Sequence, residues 1–207
     1  MDLELDVLTP IIGAEIRGIC ISEDLTDDDV QSIHSALLKH HVVFFRDQQL
    51  TPGQQSAFAR RFGRLRRAQK ASFGVVDDAP GVSVLLNDEA RAPNVNHYHS
   101  DGIFRAQPEF AAMLYGEEVP ASGGDTIFVN MAAAYDGLSS ELKAYVEAKH
   151  AVNDFMKLHG SPAKARSWKG DSAKGMERAR EQNPPVAHPM VRTHPVTQCK
   201  SLLISES

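Results

Sequence analysis

Apolar positions alternate at the start of the chain. Leu3, Leu5 and Val7 are interleaved with acids, and Ile16 and Ile19 stand between glycines in "GAEIRGICI", a period of two that predicts short strands. The period then lengthens. Val30, Ile33, Leu37 and Leu38 fall at helical spacing and make one buried face. Ahead of them Thr26 reads as an N-cap, with Asp27, Asp28 and Asp29 in the first turn, where the helix dipole favours negative charge. "HHVVFFRD" is the next strand, its Val42 to Phe45 too apolar to be exposed on both faces. Thr51, Pro52 and Gln54 supply the N-cap, N1 proline and capping box of a second helix, which Gly63 stops. Phe58 and Phe62, one turn apart, should pack against the sheet. Further strands are expected at 81–87, at 111–116 ("AAMLYG"), after the glycine turn of "PASGGDTIFVNM", and at "HPMVRTHP" and "SLLISES", with a helix from Ser139 to about Ala148. From Lys157 to Pro185 the periodicity fades into charged residues, glycine, proline and Trp168, which predicts a lid or a disordered insertion within a single 1–207 domain.

Composition narrows the function. The 207 residues are 42% apolar and 24% charged, values of a globular protein with a real core. A net charge of -5 recruits neither nucleic acid nor an anionic membrane, so the expected partner is a small molecule. Cys20 and Cys199 alone give no disulfide framework, the N-terminus is acidic where a signal peptide is basic, and no apolar run reaches membrane-span length; a cytoplasmic location is expected.

The concentration of chemistry lies in "NHYHSDGIF", where His97, His99 and Asp101 occupy every second position. On a strand all three project from one face. Non-haem iron enzymes hold Fe(II) with two histidines and one carboxylate, and His99 with Asp101 can supply two of those ligands from one segment. His97 is a poor third ligand, because four strand residues put it about 13 Å from Asp101; a role beside the substrate suits it better. A metal-dependent hydrolase built on His97, His99 and Asp101 is a weaker alternative.

Several segments together resemble the taurine and 2,4-dichlorophenoxyacetate dioxygenase family, which depends on Fe(II) and 2-oxoglutarate. "GAEIRGI", "HHVVFFRDQQLTPGQQSAFARRFGRL", "YHSDGIF", "VPASGGDTIFVNM" and "HPMVRTHPVTQCKSLLI" are similar to its motifs and occur in family order across nearly the whole chain. The resemblance implies a β-rich α+β fold with a double-stranded β-helix, or jelly-roll, core and flanking helices. It implies His99 and Asp101 as iron ligands and Thr126 as a hydrogen-bond donor to a carboxylate of the 2-oxoglutarate cosubstrate, with no catalytic side chain beyond the metal site. Val95, His97 and Phe104 are expected to line the pocket for a small anionic organic substrate: a sulfonate, a sulfate ester or an aryloxy acid, hydroxylated with dioxygen. Tyr98 stands where the family usually has tryptophan and Ile103 where it often has serine or threonine, which alters the pocket.

The family pattern continues through further strands carrying a third iron ligand, a histidine, and an arginine that clamps 2-oxoglutarate. The chain stops inside an expected strand, so those C-terminal strands are expected to be missing and the 207-residue chain to be of uncertain activity. His188 and His194 match a structural stretch instead. A homo-oligomer fits the expected open edge, and a non-catalytic binding or assembly role is the alternative from another class.

Overall fold

The computed structural model describes residues 3–66, 74–79, 81–87, 97–159 and 172–205. The chain divides into two compact units, Met1–Leu86 with Met113–Asn130, and Asn87–Ala112 with Met131–Ser207.

In the first unit, β1 (Glu4–Val7) pairs antiparallel with β2 (Ala14–Arg17), and β2 pairs parallel with β3 (Val43–Phe44), in register Ala14↔Val43. The parallel pair requires a crossover, supplied by α1 (Asp27–His40). Its N-terminus forms where local chemistry predicts. Thr26 Oγ1 accepts from the Asp29 amide, and the Asp29 carboxylate accepts from the Thr26 amide at 3.0 Å and its hydroxyl at 2.7 Å. These two Thr26 donors, hydroxyl first, hold the Asp29 carboxyl below the usual carboxylate range. α2 (Pro52–Arg60) starts with the same device, Thr51 with Gln54, and proline at the first turn.

The core of this unit is Ile16, Ile21, Ile33, Ala36 and Phe58, covered by partly buried Val43, Phe45, Leu50 and Phe62 among others. Phe58 stands edge-on to Phe45 and Phe62, with centroids at 5.9 and 5.1 Å. The Arg61 guanidinium donates to the Leu25 carbonyl at 2.8 Å and to Asp27 at 2.7 Å. Those partners tie the end of α2 to the start of α1. A short antiparallel pair, β4 (Gly74–Val75) and β5 (Ser83–Val84), falls where the 81–87 strand is expected.

The second unit is built from α3 (Met131–Asp136), α4 (Ser140–Glu147), β6 (His150–Asn153), α5 (Phe155–His159), α6 (Ser172–Gln182), β7 (Val186–Pro189), β8 (Val191–Thr193) and β9 (Lys200–Leu202). Ser139 caps α4 by accepting from the Leu142 amide at 3.3 Å. β6 and β7 form an antiparallel ladder from His150↔Pro189 to Asn153↔Val186, and β8 and β9 form a hairpin. Glu147 accepts from Lys200 Nζ at 2.6 Å and from the Tyr135 hydroxyl, which joins α4 to β9 and α3. The hydrogen bond from Lys200 is the main cause holding the Glu147 carboxyl below its usual range.

Three expectations change. Residues 111–116 and 124–130 contain no strand among the described residues, although both are apolar enough to be one. A strand exists only where another backbone completes its ladder, and neither segment has such a neighbour here. Part of the expected lid is a helix, α6, whose Ala179 is buried; its polar composition hides the apolar stripe. Residues 160–171, with Trp168, Lys164, Arg166 and Lys169, lie outside the described residues. No described helix is long and apolar enough to cross a membrane.

Candidate metal centre

"HYHSD" is not a strand. Residues 97–100 run without a ladder partner, and Asp101 opens a turn, with Ile103 N–H donating to Ser100 O at 3.4 Å and Arg105 N–H to Gly102 O at 2.9 Å. The turn needs Gly102, which sits at φ +68°. A flat strand is therefore corrected to an extended approach followed by a turn, and the spacing of the site residues acquires a different geometry.

That geometry brings the expected ligands together. His99 Nε2 lies 3.3 Å from Asp101 Oδ1. The other ring nitrogen, Nδ1, is 3.1 Å from the carbonyl of His97. A carbonyl only accepts, so Nδ1 carries a proton and Nε2 is the nitrogen left to face the Asp101 carboxylate. Two electron-rich atoms in that position repel unless a positive charge sits between them, either a proton or a cation. Ligands at right angles on a metal with bonds of about 2.1 Å stand about 3 Å apart, so the pair has the bite of two adjacent ligands. A backbone carbonyl fixing the tautomer of a ligating histidine is the usual supporting contact at metal sites. By donor type, spacing and tautomer, the residues present fit a divalent ion.

His97 reaches the same neighbourhood: its ring centroid is 5.5 Å from that of His99. Among the described residues no group of three or more His, Cys, Asp or Glu side chains could hold a metal ion, so the described pair stands without a third protein ligand. His188 and His194 are engaged elsewhere. His188 Nε2 donates to the carbonyl of Arg105 at 2.8 Å, and His194 Nδ1 accepts from the amides of Val196 and Thr197 in the β8–β9 turn.

Phe104 packs its ring edge-to-face on Phe155, with centroids at 4.9 Å, and the Arg105 guanidinium covers it at 4.7 Å. Thr126 is exposed and belongs to the first unit, whereas His97, His99, Asp101 and Phe104 belong to the second. Val95 lies outside the described residues. Sequence reasoning overlooked the supports of the turn: Gly102, the fully buried Ile103, Glu109 and His188. Gly102 leaves a local signal, a glycine directly after a ligand, whereas the His188 contact spans 83 positions.

Residues 4–207 match the family model described as "Taurine catabolism dioxygenase TauD, TfdA family". An alkylsulfatase of Acinetobacter baylyi is 34% identical over 208 residues, covering 98% of this chain and 62% of that protein. An alpha-ketoglutarate-dependent sulfate ester dioxygenase of Pseudomonas putida is also 34% identical, covering 97% of this chain and 66% of its own length. The crystal structure of AAD-2 in complex with Mn(II) and N-oxalylglycine superposes with a TM-score of 0.70 at 28% identity, over 98% of this chain and 69% of that one. The chain thus spans less than two thirds of the length of the first two relatives. The family match over residues 4–207 places this chain in the family described as "Taurine catabolism dioxygenase TauD, TfdA family".

Proposed function

We propose that this chain belongs to an Fe(II)- and 2-oxoglutarate-dependent dioxygenase that hydroxylates a small anionic organic molecule of the sulfonate, sulfate ester or aryloxy acid class. The single observation that supports it most is the His99 Nε2 to Asp101 Oδ1 approach of 3.3 Å, with the His99 tautomer set by the His97 carbonyl. The named activities of the relatives supply the substrate class, and the metal and N-oxalylglycine of the AAD-2 complex supply the cofactor class, since N-oxalylglycine has the chain length and the two carboxylates of 2-oxoglutarate. The jelly-roll core belongs to the same reading, as the frame on which such a site is held.

In this reading His99 and Asp101 hold the ferrous ion, and Thr126 donates its hydroxyl hydrogen to a carboxylate of 2-oxoglutarate. A ferrous ion held there with 2-oxoglutarate would supply the oxidation chemistry, in which dioxygen would turn the cosubstrate into succinate and carbon dioxide and a substrate C–H into C–OH. The protein's own contribution is placement. Asp101 supplies the negative charge that an open ferrous site needs, and the His97 carbonyl keeps the Nδ1 proton of His99 away from the metal side. His97, beside the pair, is placed to meet the anionic group of the substrate, and Phe104 with Val95 bounds the pocket. A carbon next to a sulfate or aryl ether oxygen, once hydroxylated, expels that oxygen as its leaving group, so one hydroxylation breaks the molecule.

Consumption of 2-oxoglutarate tests the reading. With Fe(II), ascorbate and an alkyl sulfate, an alkylsulfonate or an aryloxyacetate, one class should stimulate succinate formation, and Asp101→Ala should abolish it. Stimulation by none of the three classes in a folded protein would refute the substrate assignment.

A further inference from the structure

The turn that carries the ligand pair is anchored at its far end. Asp101 opens the turn, and the carbonyl of Arg105 closes it by accepting from His188 Nε2 at 2.8 Å, a bond that spans 83 positions of sequence. His188 is 6% exposed and sits in the middle of the β6–β7 ladder, opposite Ala151. Because a carbonyl cannot donate, the proton is on Nε2, and that nitrogen is committed to the turn. Between the two ends Ile103 is 2% exposed, and Glu109 Oε2 lies so close over Gly102 that a Cβ there would meet it at 1.9 Å. The turn is therefore pressed into the unit by a buried apolar side chain and fastened by one long-range polar bond.

We propose that His188 is a positioning residue for the His99–Asp101 pair: by donating to the Arg105 carbonyl, its buried imidazole ties the turn that bears the ligands to the β6–β7 ladder. This rests on the metal-holding reading of the pair. Its physical basis is that a metal bite is set by positions accurate to a fraction of an ångström, and a pair on non-ladder backbone takes that accuracy from whatever rigid element supports it. The ladder is such an element, since its four residue pairs are in continuous antiparallel register. Removing the donor takes away this tie between the turn and the ladder, and the turn gains freedom four residues from Asp101.

Two near-isosteric variants isolate the bond. In His188→Gln the amide nitrogen takes the place of Nε2 and can still donate to Arg105; in His188→Asn it takes the place of Nδ1 and falls short. Hydrogen exchange of the metal-free protein should be faster in the 97–105 segment of His188→Asn, with α1 protected as in the parent, and near-parental in His188→Gln. Mn(II) affinity, read from the loss of the free-ion paramagnetic resonance signal, should fall about 10- to 100-fold in His188→Asn, the range for loss of supporting contacts at metal sites, and recover in His188→Gln. Parental exchange in His188→Asn, or faster exchange with unchanged Mn(II) affinity, overturns the positioning role alone. If the parent itself binds no Mn(II), the metal reading falls and takes the positioning role with it.

Discussion

His99 and Asp101 face each other with nothing but charge to decide their relation. With Nδ1 protonated toward the His97 carbonyl, Nε2 faces the Asp101 carboxylate, and a proton or a divalent ion can bridge the two. Asp101→Asn keeps the shape and removes the negative charge, so Mn(II) affinity should drop at least about tenfold, as for loss of a metal-supporting group; an unchanged titration would show that Asp101 is not a ligand. Gly102, next to it, combines a left-handed backbone with a close neighbour. Gly18 is a fair control, since it also sits at positive φ, +71°, but a Cβ there meets nothing within 4 Å. Both alanine variants carry a backbone cost of about 1 to 2 kcal/mol. Gly102→Ala should lose more, because Glu109 must also move, and thermal melting of the two variants measures the difference. Asp29 contributes a pH dependence. Its carboxyl is held below the ordinary range by the Thr26 hydroxyl and amide, so its ionisation stabilises the fold above the unfolded carboxylate pKa of about 3.9, and that contribution fades as pH falls toward the depressed folded value. Thr26→Ala should therefore be less stable than the parent at neutral pH, and the gap in urea midpoint should narrow below about pH 4.

Helix starts were legible because their chemistry is local. Thr26 with Asp29 and Thr51 with Gln54 are read three residues apart, and both form the reciprocal hydrogen bonds that the spacing predicts. Thr51→Ala should cost about 1 kcal/mol of stability, measurable as a lowered denaturant midpoint. Strands were legible only where their partner is also present. The β1–β2–β3 sheet, β7 and the β8–β9 hairpin find neighbours where strands are expected, β6 pairs with β7 although no strand is expected at 150–153, and among the described residues 111–116 and 124–130 have the composition of strands and no ladder. The 97–101 segment shows the limit of period-two reasoning. His99 and Asp101 do converge as the spacing implies, but through a glycine turn whose Glu109 and His188 supports come from elsewhere in the chain. Helix α6 was hidden for the opposite reason: charged residues dominate Ser172–Gln182, and its buried residue Ala179 is too small to mark a face.

Across the whole molecule, a residue-level site sits in a chain that covers 62% and 66% of two relatives. The first unit leaves Leu85, Leu114, Ile127 and Val129 open to solvent, Ile127 at 71% and Val129 at 48%, while Phe128 between them stands edge-on to Phe44 at 6.4 Å. Ile127, Phe128 and Val129 are thus three consecutive exposed apolar residues. Exposed apolar segments of this kind promote self-association, so Ile127→Lys with Val129→Lys should keep the chain monomeric to higher concentration in sedimentation, with little change in melting temperature. Association unaffected by both lysines would place the adhesive surface elsewhere. The claim on which the account turns is that this chain's own His99 and Asp101 hold ferrous iron for 2-oxoglutarate. An anaerobic titration of the folded protein with Fe(II) and 2-oxoglutarate tests it directly. A weak visible charge-transfer band should saturate at one iron per chain and be lost in His99→Ala; a folded chain that never develops the band, or a His99→Ala variant that develops it unchanged, would rule out that role.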